Sequence, residues 1–308
     1  MEKLLEAINY YVVEGIEIQD IEADFQEYLD KKPEPKAANI DDYIRVEILK
    51  QGGTICDNEQ LARMYAYTYT LSRCEAIFSA IRGIADLKGI IRNLEYTLVV
   101  DFGCGPATVA LAFAYYYHRM TKREAIVDIN YIGKDLSSDM IYLAKDILSS
   151  DLFNNDENFV YLKGKYIDEN GVKEFKPKEI RINNYIAPKT ILFVFSYIFS
   201  QGEVADSVQS FINDICEIIE QNETAETYHI LYLNKDYQHD GSAYDIFVKA
   251  IEEADFTIYP DSDWRSGKPY MHNTKYDGKA IRDFDTGNVS DIYNMGPLYY
   301  QLLEIRRD

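Results

Sequence analysis

The sequence predicts an α/β fold: a helical first third leads into a core where apolar strands alternate with helices. Three observations predict it. Leu98-Val99-Val100 reads as a short buried strand that passes through Asp101 into a Gly-x-Gly turn. An unbroken run of small and apolar residues, a helix, follows from Thr108. Thr190 to Tyr197 is an apolar run ending in polar residues, as a central strand of a parallel sheet should be. Upstream of Tyr96, apolar residues recur at helical spacing.

Taken in order, Leu4, Leu5, Ile8, Tyr11 and Val12 mark a first helix. Gly15 interrupts it, and Ile18, Ile21, Phe25, Tyr28 and Leu29 mark a second. Lys32-Pro33-Glu34-Pro35-Lys36 is a stiff connector. A short helix over 40–49 ends at Gly52-Gly53. Asp57 then caps a helix over 58–73, and another follows over 74–87. In the first of these, Tyr65 and Tyr69 share a face while Tyr67 points elsewhere. They are read as packing the helix onto the core, with a substrate-lining wall as the second reading. The core begins near Tyr96. It is expected to run as strand 96–100, helix 107–118, strand 131–134, helix 138–148 and strand 159–164, with an extra hairpin or loop over 165–189. After strand 190–197, the capping pattern Ser200-Gln201-Gly202-Glu203 opens an amphipathic helix through Ile219. Strand 229–233, helix 243–254, strand 256–260, a turn-rich stretch over 261–297 and a last strand over 298–305 complete the chain. The expected division is a helical region over 1–92 and a core over 93–308.

The glycine corner separates two nucleotide chemistries. A dinucleotide fingerprint needs Gly-x-Gly-x-x-Gly, and here the last position is Thr108. Pro106 removes an amide donor at the helix start, which is tolerable where no pyrophosphate must be cradled. Asp101 makes poor sense beside a diphosphate and good sense beside a cation. The stretch therefore resembles motif I of class I S-adenosylmethionine (SAM)-dependent methyltransferases, with Ala107 in place of the third glycine. A second segment, Tyr131-Ile132-Gly133-Lys134-Asp135-Leu136-Ser137-Ser138-Asp139-Met140, reads as strand, acid and helix start. In that family the acid ending the second strand holds both ribose hydroxyls, and a Ser-x-x-Met-like segment lies under the adenine. Asp135 and Met140 match those positions. One carboxylate with two acceptor oxygens suits two vicinal hydroxyls.

The resemblance implies a Rossmann-like, seven-stranded, mostly parallel sheet with an antiparallel last strand. It also implies that the helices of 1–92 form an N-terminal cap over the cofactor cleft. Expected cofactor contacts are Asp101, Gly103, Cys104, Gly105, Asp135, Leu136, Met140 and Ser196, with Cys104 read as a small filler and not a nucleophile. Gly103 and Gly105 let the backbone approach a ligand. The residue that contacts the adenine amino group is unassigned, Asp168 being a weak candidate. Tyr197, Asp236 and His239 are the candidates on the acceptor side, from their place at strand ends. Ser196-Tyr197 and Asn234-Lys235-Asp236 also resemble the small-ribosomal-subunit-associated methyltransferase-like family. Its usual cysteine cluster and basic surface are not seen, so its substrate is not carried over.

The formal net charge of −20 argues against an extended nucleic-acid face, which needs clustered Lys and Arg. The amino-methylating signature Asn/Asp-Pro-Pro-aromatic is missing after strand 190–197. Small molecules or protein side chains are thus slightly favoured as acceptors. The four cysteines, Cys56, Cys74, Cys104 and Cys216, are scattered and without a nearby His, which argues against metal and disulfide sites. No signal peptide or membrane span is visible, so a cytoplasmic protein is expected. Two alternatives stand beside the enzyme: a non-catalytic SAM-binding scaffold or regulatory subunit, and a nicotinamide-dependent oxidoreductase using the same corner.

Overall fold

A computed structural model describes residues 15–32, 34–50, 56–121, 127–148, 162–163, 165–166, 179–184, 186–200, 208–234, 242–260, 270–275, 279–282, 289–291 and 294–307. Its helices are α1 (Ile18–Lys31), α2 (Ile40–Tyr43), α3 (Glu59–Gly83), α4 (Ala85–Arg92), α5 (Thr108–Thr121), α6 (Ser138–Leu148), α7 (Val208–Gln221) and α8 (Ala243–Glu253). The strands are β1 (Thr97–Phe102), β2 (Val127–Asp128), β3 (Asn130–Lys134), β4 (Leu162–Lys163), β5 (Lys165–Tyr166), β6 (Glu179–Asn183) and β7 (Thr190–Ser196). They continue with β8 (Thr227–Asn234), β9 (Phe256–Pro260), β10 (Tyr270–Lys275), β11 (Lys279–Arg282), β12 (Val289–Asp291) and β13 (Asn294–Arg307).

Among the described residues the main sheet has the expected parallel strands and antiparallel last strand, and it is wider than the expected seven strands. Its nine strands run β10-β13-β8-β7-β1-β3-β6-β5, with β9 also on β13. The centre, β3-β1-β7-β8, is parallel, and the final strand β13 is antiparallel to β8. Antiparallel strands flank both sides: β13 with β10 and β9 beyond β8, and β6, paired with β5, beside β3. The strand expected over 159–164 does not take that place. Of it, Leu162–Lys163 pairs in parallel with Val127–Asp128 in a separate short sheet, and β6 occupies the edge of β3 instead.

Alternation of side chains sends the strands' residues into two cores. One packs Val99, Tyr131, Leu192, Val194 and Leu231 under α3, α5 and α6. The other packs Val100, Phe102, Phe193, Phe195 and Tyr232 against α7 and α8. β1 is buried along its whole length, which places its single charged residue, Asp101, in the interior at 0% exposure.

One helical boundary differs from expectation. The two helices expected over 58–73 and 74–87 are a single helix, α3, followed by the shorter α4. Nothing between Arg73 and Glu75 breaks a helix: no Gly or Pro interrupts there, and the chain turns only at Ile84, whose backbone is extended. Asn58 caps α3, its side-chain oxygen accepting from the Leu61 N–H at 2.9 Å. At the far end Gly83 leaves room for the Tyr300 hydroxyl, which a Cβ would meet, so α3 lies close against β13. The expected first helix, through Val12, falls outside the described residues. No helix among the described residues is long and apolar enough to cross a membrane.

Candidate cofactor site

The site forms where β1 and β3 end. Their parallel register pairs Phe102 with Lys134, so Asp135 emerges beside the turn that follows β1. The Cys104 N–H donates to the Lys134 carbonyl at 3.0 Å and extends the pairing by one bond. The turn then takes left-handed backbone at Gly103 (φ 63°), Gly105 (φ 53°) and Ala107 (φ 57°). Glycine adopts that region freely and alanine does so at a cost. Ala107 thus keeps the backbone of a glycine at the position where the motif departs from Gly. Close approach governs Gly133 as well: a Cβ there would lie 2.9 Å from Cys104 Sγ, Ile180 Cγ2 and Tyr131 Cε1.

Asp135 is held by main-chain donors. Its Oδ2 accepts from Gly105 N–H and its Oδ1 from Ser137 N–H, both at 2.9 Å. One bond goes to the glycine turn and the other to the start of α6, so the carboxylate ties the two motifs together. Each oxygen retains a further acceptor site. Burial raises the Asp135 pKa, opposed by those N–H bonds and by the charge of Arg73. Ser137 caps α6, its Oγ accepting from Met140 N–H at 3.0 Å while its hydroxyl donates to the Cys56 carbonyl. Helix 138–148 has the bounds expected from the sequence. Leu136, beside Asp135, is 75% exposed, whereas Met140 is buried in the core. Of these two expected cofactor contacts, Leu136 therefore presents the open apolar surface.

Asp101 is in a different condition. Tyr131 donates its hydroxyl to Oδ2 at 2.9 Å. Oδ1 is buried and has no hydrogen-bond partner. Burial pushes this carboxyl up to about 8; the Tyr131 bond and the Arg73 charge pull it down, and Asp135 adds to the rise. A second unsatisfied atom is nearby in the sheet: Ser196 Oγ, at the end of the adjacent strand β7, is buried without a partner. A buried polar atom left unpaired costs on the order of 1–3 kcal/mol. Both atoms lie near the carboxyl ends of neighbouring parallel strands.

Cys104 stands between the two glycines of the turn. It is buried, its Sγ contacts the Gly105 carbonyl at 3.5 Å, and burial holds its thiol well above the ordinary range. Such a thiol carries almost no thiolate at neutral pH.

Tyr197 follows β7 with φ 63°, its N–H donating to the Leu233 carbonyl at 2.8 Å. Burial pushes its hydroxyl up to about 12, so it stays protonated near neutrality. Asp168, Asp236 and His239 lie outside the described residues. Among the described residues no group of three His, Cys, Asp or Glu side chains is placed to hold a metal ion.

Sequence reasoning missed Arg73. It lies one helical turn beyond Tyr69, which lies one turn beyond Tyr65, so α3 presents the three as a stripe. The guanidinium carbon is 4.9 Å from the Tyr65 ring centre, 5.3 Å from that of Tyr69 and 4.8 Å from that of Tyr197. The Tyr65 and Tyr69 rings are 4.9 Å apart. Tyr67 points away, as its spacing requires, and donates to Asp41 at 2.9 Å. The spacing of Tyr65 and Tyr69 was the available signal; four residues further on it reaches Arg73.

No protein-family model and no curated protein matches the chain. Several solved structures are similar to it. Magnesium protoporphyrin IX methyltransferase from Synechocystis PCC 6803, with bound SAM, is 14% identical with a TM-score of 0.33, over 89% of this chain and all of that one. A putative class I SAM-dependent methyltransferase from Listeria monocytogenes is 12% identical with a TM-score of 0.34, over 100% of this chain and 88% of that one. A SAM-dependent methyltransferase from Aquifex aeolicus is 11% identical with a TM-score of 0.30, over 76% of this chain and 98% of that one.

Proposed function

We propose that this chain is a SAM-dependent methyltransferase whose cofactor lies across the ends of β1 and β3. One observation carries the reading. Two carboxylates, Asp101 buried and Asp135 half-buried, stand at the carboxyl ends of neighbouring parallel strands, joined through the glycine turn by the Gly105 N–H to Asp135 bond. Asp101 offers an unpaired oxygen to a cation, and Asp135 offers its remaining acceptor sites to a pair of hydroxyls. That is the donor and charge pattern of a positively charged sulfur nucleoside. Gly103, Cys104 and Gly105 line its approach, Leu136 and Met140 flank its base, and Ser196 lies toward the reacting end.

A bound sulfonium supplies a methyl group already activated for in-line displacement. The protein's part is to align the acceptor atom with the carbon–sulfur axis and to keep water out. As the acceptor–carbon bond forms, the carbon–sulfur bond breaks and the sulfur takes its electron pair. An acceptor that carries a proton must also lose it. Tyr197, protonated near neutrality, serves as a wall or hydrogen-bond donor and not as the base. The base role then falls to Asp236 or His239. In this reading residues 1–92 cap the cleft, supported by the place of Tyr65 and Arg73 against Tyr197, and 93–308 bind the donor. The strongly acidic chain slightly favours a small molecule or protein side chain over nucleic acid as acceptor, in a cytoplasmic setting. The narrower likeness to the ribosomal-subunit-associated family rests on Ser196, Tyr197 and Asn234, with Lys235 and Asp236 outside the described residues, and no substrate is drawn from it.

Incubation with methyl-radiolabelled SAM and fractionated lysate tests the reading. Transfer of label to a fraction, lost in Asp135→Ala, is the expected result. SAM binding without transfer to any fraction would favour a non-catalytic module.

A further inference from the structure

The guanidinium of Arg73 is an unfilled cation. It is half-buried beside three tyrosine rings, and no carboxylate pairs with it among the described residues. Both nearby acids feel its charge without forming an ion pair with it. Asp135 is already committed to the Gly105 and Ser137 N–H groups, and Asp101 to the Tyr131 hydroxyl. Ring faces stabilise a guanidinium, and beyond its hydrogen bond to the Tyr65 hydroxyl its N–H edge can meet a planar anion. The chain is strongly acidic, yet it places this cation at the ends of β1 and β7, where Asp101 Oδ1 and Ser196 Oγ also lack partners. A charged group so placed is completed by a ligand of opposite sign.

We propose that Arg73, steadied by Tyr65, Tyr69 and Tyr197, receives a carboxylate of a bound ligand. The inference rests on the SAM reading of the site and adds to it a residue that neither sequence motif contains. Two sources can bring the carboxylate. One is the amino-acid end of the donor, whose ammonium would then face Asp101. The other is a carboxylate on the methyl acceptor, reached from the Tyr197 side. The donor source needs Arg73 for affinity toward the sulfur nucleoside; the acceptor source does not.

Calorimetric titration separates these. S-adenosylhomocysteine carries the amino-acid end and 5′-methylthioadenosine lacks it, so their affinity ratio isolates that end. Both are titrated into the parent, Arg73→Met and Arg73→Lys, and benzoate is titrated into the S-adenosylhomocysteine-loaded proteins. Methylthioadenosine binding serves as the check that each variant keeps a folded nucleoside site. If the donor supplies the carboxylate, Arg73→Met cuts the preference for S-adenosylhomocysteine roughly ten- to hundredfold, and Arg73→Lys restores part of it. If the acceptor supplies it, that preference is unchanged, and benzoate binds the loaded parent but not loaded Arg73→Met. Arg73→Met that keeps both the preference and the parent's response to benzoate overturns the assignment. A parent that binds neither nucleoside overturns the SAM reading, and the carboxylate assignment falls with it.

Discussion

The two faces of the central sheet are built for different ends. Against α7 and α8, Phe102, Phe193, Phe195, Phe199 and Phe247 pack with Tyr232 and Tyr244. Phe102 and Phe195 stack at 4.7 Å, and the Tyr244 hydroxyl donates to Gln301 Oε1 at 2.6 Å. This face buries large aromatic area, each ring contributing about 1.5–3 kcal/mol. Against α3, α5 and α6 the strands are equally buried, but their carboxyl ends carry Asp101 Oδ1 and Ser196 Oγ unpaired, and Ala107 and Tyr197 in left-handed backbone. Both faces carry a buried core, and the one under α3, α5 and α6 also holds unsatisfied polar atoms at its strand ends, where the proposed ligand would complete them. Substitutions in the aromatic cluster should therefore act on stability, and those at the strand ends on ligand binding.

Phe195→Ala should show the largest effect on stability. Its ring meets Phe102, Phe199, Phe211 and Phe247, and the cavity left behind should cost about 3–5 kcal/mol in denaturant unfolding. A loss below about 1 kcal/mol would deny this face its structural role.

Asp135→Ala sharpens the contrast from the other side. It leaves the Gly105 and Ser137 N–H groups without their acceptor, a cost of about 1–3 kcal/mol, smaller than that of Phe195→Ala. SAM affinity should fall by roughly a hundredfold, since hydrogen bonds to a charged group and the turn it braces are lost together. Affinity equal to the parent's, measured by titration, would remove Asp135 from the site.

Asp101→Asn should act through pH. The folded carboxyl titrates at about 8, above its unfolded value of roughly 3.9. The folded state therefore holds a proton that the unfolded chain releases, and this contribution to stability is fully present below about pH 4 and lost as pH rises to 8. Relative to the parent, Asp101→Asn should gain stability across that window. A cationic ligand draws the proton off, so parent affinity for SAM should rise up to about tenfold per pH unit below 8 and then level, while the variant stays flat. A parent profile as flat as the variant's would show that no cation meets Asp101.

Ala107→Gly should give the smallest change. Removing the Cβ relieves left-handed strain at φ 57°, and a gain of about 0.5–1 kcal/mol in thermal unfolding is expected. Destabilisation would mean that the alanine's burial outweighs its backbone.

Much of this division was legible in the sequence, for local reasons. The strand–glycine–helix corner and the Asp135 segment depend on nearby residues alone, and β9 and α6 have the bounds their patterns predict. Features that depend on distant partners were hidden. The break expected between Arg73 and Cys74 has no local cause, and α3 runs on because α5 and α6 support it. The edge beside β3 is taken by β6, a contest between two short segments that periodicity cannot decide. Arg73 carries no motif and is marked only by the rings folded around it.

The most direct test of the central claim is calorimetric titration of the parent protein with SAM, S-adenosylhomocysteine and NADH. The account predicts that both sulfur nucleosides bind, that NADH does not, and that SAM binding near pH 7 releases protons to the buffer. Binding of NADH with no heat from either sulfur nucleoside would contradict it.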